Sequence, residues 1–134
     1  ATEHGQSGFD ELNLIEKGKN YGWPTIQGDE RRDGMVSPVI NSGPDETWAP
    51  SGAIYFKGSI FFAGLRGKTH YQARVENGKV IELKKHLQNE YGRLRTVVLG
   101  PDGYLYILTN NRDGRGIPKT GDDKLIRINP QILQ

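Results

Sequence analysis

The sequence predicts an all-β protein, and two features carry the prediction. Short runs of β-branched and aromatic residues recur along the chain, and Gly, Pro, Asn or Asp bounds nearly all of them. The clearest hairpin signal is Asn77-Gly78, which separates the run 71–75 from the run 79–83. Only the segment 84–90 has a pattern that a helical turn would fit.

The strand-like runs follow one another almost to the C-terminus. The first run, 11–15, alternates polar and apolar residues and is followed by Gly18. The later runs are, in chain order, 53–56, 59–63, 71–75, 79–83, 93–99, 104–109 and 124–128. Residues 28–47 hold two charged loops around a short apolar run, and we interpret them as a long excursion between strands.

An internal repeat indicates a β-propeller. Residues 10–15 resemble residues 123–128, and a segment with Thr and a polar loop precedes each. Blades of common propellers are four-stranded and about 40–50 residues long, so this chain would hold roughly three of them. A closed ring usually needs about 4–8 blades. We therefore expect one domain, 1–134, whose ring is completed by a missing segment, a partner chain or further copies in a homo-oligomer. A β-sandwich is the alternative fold.

Composition and charge exclude several classes of protein. The 134 residues contain no Cys, which excludes a disulfide framework and a thiolate metal site. No apolar run approaches the roughly 18 residues of a transmembrane helix. Lys and Arg total 18 against 16 Asp and Glu, and this near balance argues against a nucleic-acid partner. Because the chain begins without Met and without a basic, apolar leader, we expect residue 1 not to be the biological start.

The Gly-rich segment 3–11 is a candidate metal site. Gly5 and Gly8 allow tight turns that point backbone carbonyls at a ligand, and Asp10 and Glu11 supply the hard oxygen ligands that suit Ca²⁺. A polar loop that leads into a strand is the alternative, and composition alone favours it. No two of the three histidines have the spacing of zinc ligands, so we expect no zinc site.

Two basic clusters are candidate anion sites. Arg66 and Lys68 lie in the loop after an apolar run, and Arg93 and Arg95 stand at the head of a strand. Because residues i and i+2 of a strand share a face, the second pair would project the same way and grip carboxylates with planar forks. A solvated face is the alternative. Cations on successive blades suit a small polyanion.

A set of motifs in fixed order carries a resemblance to a known family. They are Glu3-His4-Gly5, 10–15, 18–24, 48–56, 62–66, 93–97 and 100–106. Together they resemble the soluble quinoprotein aldose sugar dehydrogenases of the glucose/sorbosone dehydrogenase family. The similarity runs from residue 1 to about residue 130 and is weak only between Gly28 and Thr47.

The resemblance implies a fold and an activity. It implies part of a six-bladed β-propeller that holds pyrroloquinoline quinone and Ca²⁺ over its central channel. Family members oxidise the C1 hydroxyl of an aldose sugar and pass a hydride to the quinone, and the resemblance implies a periplasmic or secreted protein. A non-catalytic propeller module that binds a protein or glycan partner is the alternative.

The resemblance also implies that the chain is the C-terminal part of such an enzyme. The family's general base lies upstream of the stretch that matches residue 1, so no catalytic residue is expected in this chain. His4 matches the metal loop rather than the base. We therefore expect the chain alone to be inactive, with the remaining blades supplied by a missing segment or a partner chain.

Ligand roles follow from the resemblance, position by position. The carbonyl oxygens of Gly5 and Gln6 match those that hold the Ca²⁺ at the quinone, although the family usually has Pro at the second position. Glu11 and Tyr21 match a second, structural Ca²⁺ site, Tyr21 through its backbone oxygen. The cations that match the quinone ligands are Arg66 or Lys68, Arg93 and Arg95. A tricarboxylate cofactor needs several such fixed cations.

Overall fold

The computed structural model describes residues 1–133 and is built almost wholly of β-strands. The ten strands are β1 (Thr2–Glu3), β2 (Glu11–Leu12), β3 (Ile40–Asn41), β4 (Pro50–Phe56), β5 (Ser59–Gly64), β6 (Thr69–Glu76), β7 (Lys79–His86), β8 (Leu94–Leu99), β9 (Leu105–Thr109) and β10 (Leu125–Ile128). A 3₁₀ helix, Pro130–Leu133, follows β10.

The all-β prediction is confirmed. The helical turn expected at 84–90 is absent, because its first three residues extend β7 and the rest form turns. Within the described residues, no helix has the length and apolar character needed to cross a membrane.

The strands form three antiparallel sheets, each made of strands that are consecutive in the chain. Sheet 1 contains β1, β2 and β3, sheet 2 contains β4 to β7, and sheet 3 contains β8, β9 and β10. The predicted Asn77-Gly78 turn joins β6 to β7, and its residues have φ angles of 50° and 73°, as this kind of two-residue turn requires. Three sheets were predicted and three are found, although only sheet 2 has four strands in the described residues.

The sequence repeat corresponds to a structural repeat. Residues 10–15 contain β2, which pairs with β1, and residues 123–128 contain β10, which pairs with β9. The aspartate that begins each repeated run accepts a hydrogen bond from the loop ahead of it. Asp10 accepts from the Gly5 N–H at 3.0 Å, and Asp123 accepts from the Asn111 N–H at 2.6 Å. The same pattern therefore builds the same joint between loop and strand in sheets 1 and 3.

Two apolar cores hold the three sheets together. The core on one side of sheet 2 consists of Leu12, Trp48, Phe62, Tyr71 and Ala73. The core on its other side consists of Phe61, Ala63, Leu94, Val97, Leu105, Ile107, Ile128 and Leu133. Successive side chains of a strand point to opposite faces, so neighbours in β5 enter different cores. Sheet 2 is thus covered on both faces, which explains why β5 is almost continuously apolar.

Five connections meet at one end of the sheets, which we call the loop end. They are the segments 4–10, 42–49, 65–68, 87–93 and 110–124. Backbone hydrogen bonds join them in sequence: Phe9 N to Gly43 O, Gly67 N to Trp48 O, Asn89 N to Lys68 O, and Asn110 N to Arg93 O. Strands β4 and β8 approach closely, since a Cβ on Gly52 would lie 3.0 Å from the Thr96 Cα. The loop end is therefore one continuous surface over all three sheets.

Candidate cofactor site

The loop 4–10 has the geometry of a carbonyl-lined metal loop. A Cβ on Gly5 would lie 1.8 Å from the carbonyl oxygen of Gly8, so the loop closes tightly enough that only glycine fits. Within residues 1–133, no hydrogen bond engages the carbonyl oxygens of Gly5 and Gln6. Both oxygens are therefore available to a hard cation such as Ca²⁺.

Asp10 fixes this loop and is not an open ligand. The residue is 2% exposed, and its carboxylate accepts hydrogen bonds from the N–H groups of Gly5 at 3.0 Å, Trp48 at 2.6 Å and Ala49 at 2.8 Å. These bonds tie the loop to the connection between β3 and β4. Composition had placed Asp10 among the candidate Ca²⁺ ligands. In the structure its oxygens hold backbone N–H groups instead.

His4 fastens the same loop to the neighbouring sheet. Its Nε2 lies 2.8 Å from the Pro50 carbonyl oxygen, and since a carbonyl can only accept, this nitrogen carries the proton. Close by, the Thr2 hydroxyl donates to the Ser51 carbonyl at 2.9 Å. His4 thus helps to hold the loop 4–10 against β4.

Glu11 and Tyr21 line a second, small cavity together with Glu3. Glu11 is buried and accepts hydrogen bonds from Gly28 N at 3.0 Å and from the side-chain amide of Asn13 at 3.1 Å. That amide also donates to Glu3 at 3.0 Å, while the buried Asn13 Oδ1 has no partner in the described residues. Glu3 and Glu11 give this cavity two carboxylates, the hard oxygen ligands that suit Ca²⁺.

Tyr21 lines this cavity, and its ring is held by the preceding segment of the chain. Its hydroxyl donates to the Leu14 carbonyl at 2.6 Å and accepts from Glu16 N at 2.7 Å, so the phenol is already engaged. No group of three or more His, Cys, Asp or Glu side chains gathers to hold a metal within residues 1–133. A cation here would therefore need backbone or amide oxygens in addition to carboxylates.

Three of the four cations predicted to bind the quinone are exposed, two of them at the loop end and the third beside it in β8. Arg66 and Lys68 lie in the connection from β5 to β6, and Arg95 lies near the start of β8. Within the described part of the chain, no ion pair or hydrogen bond engages these three side chains. They are free to meet an anionic ligand.

Arg93 differs from Arg95 in its surroundings. Arg93 precedes β8 and is only 9% exposed, and its Nε and Nη2 donate to Asp113 Oδ2 at 2.9 and 2.8 Å. A β-bulge between Leu94 and Thr96 interrupts the two-residue alternation on which the shared-face expectation depended. Arg93 is therefore an anchored cation and Arg95 an open one. A joint grip on one carboxylate ligand stays a prediction.

Asp113 holds its charge beside Arg93. Backbone hydrogen bonds from Arg115 and Gly116, together with the Arg93 guanidinium, lower the pKa of this carboxyl, the Arg115 N–H having the largest effect. The acid therefore stays ionised near neutral pH and keeps the guanidinium in place.

Asn111 is a site residue that sequence reasoning missed. It is 4% exposed, accepts a hydrogen bond from Arg93 N at 2.8 Å and donates to the Tyr91 carbonyl at 2.8 Å and to Asp122 at 3.1 Å. Asn111 thus links three parts of the loop end. A signal was present, because residues 108–111 occupy the repeat position that matches the Gly5 loop.

A cleft of about 380 Å³ opens at the loop end between the connections 65–68, 87–93 and 110–124. Lys68 and Arg93 both line it, so the structure brings these two predicted residues to one cavity. Arg66, Arg95 and the Gly5 loop are not part of its lining.

The comparisons with known proteins decide the family. The family described as glucose/sorbosone dehydrogenase matches residues 1–127. The chain belongs to the glucose/sorbosone dehydrogenase family. It is 30% identical to the aldose sugar dehydrogenase of Escherichia coli over 149 aligned residues, which cover 97% of this chain and 38% of that protein.

Solved members of the family have the same fold as this chain. An aldose sugar dehydrogenase from Streptomyces coelicolor, described as the PQQ-bound form, matches with a TM-score of 0.86 and 41% identity over 95% of this chain and 38% of its own. A putative oxidoreductase (glucose dehydrogenase) from Thermus thermophilus matches with a TM-score of 0.87 and 38% identity over 95% of this chain and 40% of its own. The chain spans about two fifths of the length of these relatives. The three sheets are accordingly part of a β-propeller, and the β-sandwich alternative is excluded.

Proposed function

We propose that this chain is the cofactor-holding part of a periplasmic or secreted quinoprotein that oxidises the C1 hydroxyl of aldose sugars with pyrroloquinoline quinone and Ca²⁺. One observation supports this most. In the described residues, the loop end and the adjoining start of β8 present unpaired cations on two sheets, and the Gly5 loop presents two open carbonyl oxygens on the third. When bound, the quinone would accept the hydride and Ca²⁺ would polarise its reacting carbonyl. The PQQ-bound relative from Streptomyces coelicolor is consistent with this proposal.

The basic side chains would hold the carboxylates of the quinone. Lys68 and Arg95, both exposed and unpaired in the described residues, would donate charged hydrogen bonds, with Arg66 beside Lys68. Arg93 would act from a fixed position, because Asp113 and the Leu65 carbonyl already orient its guanidinium. A cation held in place before binding loses little side-chain entropy when the ligand arrives.

The loop 4–10 would hold the metal at the quinone. The carbonyl oxygens of Gly5 and Gln6 are the proposed ligands, and Asp10 keeps the loop in its closed form through three N–H groups. Glu11 and the Tyr21 carbonyl would hold the second, structural Ca²⁺, with the Glu3 carboxylate on the same cavity.

The general base is proposed to come from residues outside these 134. His4 lies in the proposed metal loop, and its Nε2 donates a hydrogen bond to the Pro50 carbonyl. A base must reach the proton of the sugar hydroxyl, and the geometry of residues 1–133 assigns this task to none of them. We therefore expect the chain alone to bind cofactor without oxidising sugar.

A non-catalytic binding module is the alternative, and one observation favours it. The Arg93 guanidinium is already engaged by Asp113 and Leu65, as it would be if it served only the scaffold. Such a module would keep the propeller fold and bind a protein or glycan partner without quinone.

Titration of the chain with pyrroloquinoline quinone in the presence of Ca²⁺ separates the two proposals. The test variant is Lys68→Ala with Arg95→Ala. The control is Lys57→Ala with Lys79→Ala, which removes the same charge at the β4–β5 turn and at the first residue of β7. A charged hydrogen bond contributes about 1.5–3 kcal/mol, so losing even one should weaken quinone binding by at least about tenfold.

Each outcome of the titration discriminates. Tight binding that the test variant loses and the control keeps supports the quinoprotein. Absence of quinone binding, or equal loss in test and control variants, supports the module. A dye-reduction assay with glucose, quinone and Ca²⁺ then tests where the general base lies. Sugar oxidation by the chain alone would contradict the proposal that the base lies outside these 134 residues.

A further inference from the structure

The cleft at the loop end has cations on two facing walls. At about 380 Å³ it is large enough for a sugar or a small cofactor fragment. One wall comes from Lys68 and the segment 89–93, and the facing wall comes from the β9–β10 connection through Ile117, Lys119, Thr120, Asp122 and Lys124. The cations of this second wall are Lys119 and Lys124.

The cleft has an excess of positive charge. Four cations line it, Lys68, Arg93, Lys119 and Lys124, against two carboxylates, Glu90 and Asp122. Lys124 is paired with Asp122 at 2.8 Å, and Arg93 is paired with Asp113 at 2.8 Å. Among residues 1–133, the ammonium groups of Lys68 and Lys119 have no ion pair or hydrogen bond. Each wall therefore offers one uncompensated cation.

The wall that carries Lys119 is pre-organised. The side chain of Asp122 is 4% exposed, and it accepts hydrogen bonds from Lys119 N at 2.7 Å, from Asn111 at 3.1 Å and from Lys124 Nζ at 2.8 Å. These partners, the Lys119 N–H first, lower the pKa of Asp122, so the acid stays ionised and holds the connection closed. The backbone of Lys119 is thus fixed, and the residue lines the cleft.

We propose that this cleft binds a small molecule bearing a carboxylate or a phosphate, and that the Lys119 ammonium recognises that group from the wall facing Lys68. Glu90, on the same lining, disfavours an anionic group placed beside its own carboxylate. The anionic group can come from two sources, an acidic or phosphorylated sugar or the carboxylates of the quinone. The quinone arm of the test rests on the proposed function. The anion site itself does not.

The test begins with citrate and inorganic phosphate, titrated into the chain by calorimetry or NMR at low ionic strength. Lys119→Ala removes the ammonium but keeps the backbone N–H that Asp122 accepts, so the fold is expected to persist. Lys119→Arg keeps the charge, and Lys57→Ala is the matched control on a turn away from the loop end. Loss of a charge-assisted contact should weaken binding by roughly tenfold in Lys119→Ala, with the other two variants near wild type.

Two further titrations identify the source. If Lys119→Ala weakens glucose 6-phosphate but not quinone, and glucose alone is unaffected, the group belongs to the sugar. If it weakens quinone instead, the group belongs to the cofactor. Lys119-dependent citrate binding without any quinone binding would keep this inference and reject the proposed function. Absence of citrate and phosphate binding at millimolar concentration, or an equal effect of Lys119→Ala and Lys57→Ala, would overturn it.

Discussion

Lowering the pH should destabilise the chain through one buried histidine. His70 is fully buried in β6, stacks on Phe61 with ring centroids 5.5 Å apart, and has no hydrogen-bond partner for either ring nitrogen in the described residues. Burial, and then the nearby charge of His86, lower the pKa of His70 from 6.5 to about 3. The folded chain therefore keeps this ring neutral.

The sign and size of the effect follow from proton linkage. The unfolded chain binds a proton at His70 below about pH 6.5, whereas the folded chain does not until about pH 3. Stability is therefore full above pH 6.5 and falls by about 1.4 kcal/mol for each pH unit below it. At pH 4.5 the loss is about 2.7 kcal/mol, on the way to a limit of about 5 kcal/mol.

Urea unfolding of wild type and His70→Leu at pH 7.5, 5.5 and 4.5 measures this loss. We expect the leucine variant to be at least as stable as wild type at pH 7.5, because it removes two unpartnered buried nitrogens, and to lose most of the pH dependence. His86, whose pKa burial and then Lys84 also lower, accounts for a remainder. Phe62→Leu is the control, because it removes buried apolar contacts without a titrating group and should lower the free energy of unfolding by the same amount at every pH. Equal pH dependence in wild type and His70→Leu would refute the reasoning.

Three other substitutions have expected outcomes. Asp10→Asn should lower the free energy of unfolding by about 2–4 kcal/mol, measured by denaturant midpoint, because an amide cannot accept from all three N–H groups that Asp10 holds. Gly5→Ala should abolish Ca²⁺-dependent stabilisation in a thermal melt, because its Cβ would overlap the Gly8 carbonyl; unchanged stabilisation would show that the loop does not hold the metal. Asn111→Ala should cost about 2–4 kcal/mol by leaving the Arg93 N–H without its acceptor, and an unchanged midpoint would argue against its linking role.

Most of the fold was predictable because strand signals are local. Asn77-Gly78 defined a hairpin since few other pairs accept two positive φ angles, and the repeat of 10–15 at 123–128 marked equivalent strands. The short pairing of β1, β2 and β3 was harder to predict. Their pairing is held largely by loop contacts such as those of Asp10, which depend on residues distant in the chain.

The site was predictable in position more than in detail. Gly5 and Lys68 lie at the loop end and Arg95 is the second residue of β8, while their roles as ligands stay predictions. The difference between Arg93 and Arg95 arises from a bulge in β8 and from Asp113, twenty residues away, and neither leaves a mark on local periodicity. The position of Lys119 at the cleft was not predictable from the sequence for a similar reason. It depends on the hydrogen bonds of Asn111 and Asp122 that close the β9–β10 connection.

A crystal structure of the chain with pyrroloquinoline quinone and Ca²⁺ tests the central claim most directly. The account predicts quinone carboxylates within hydrogen-bond distance of Lys68 and Arg95, and Ca²⁺ on the carbonyl oxygens of Gly5 and Gln6. Quinone bound at the opposite end of the sheets, or a loop end left empty at saturating cofactor, would contradict it.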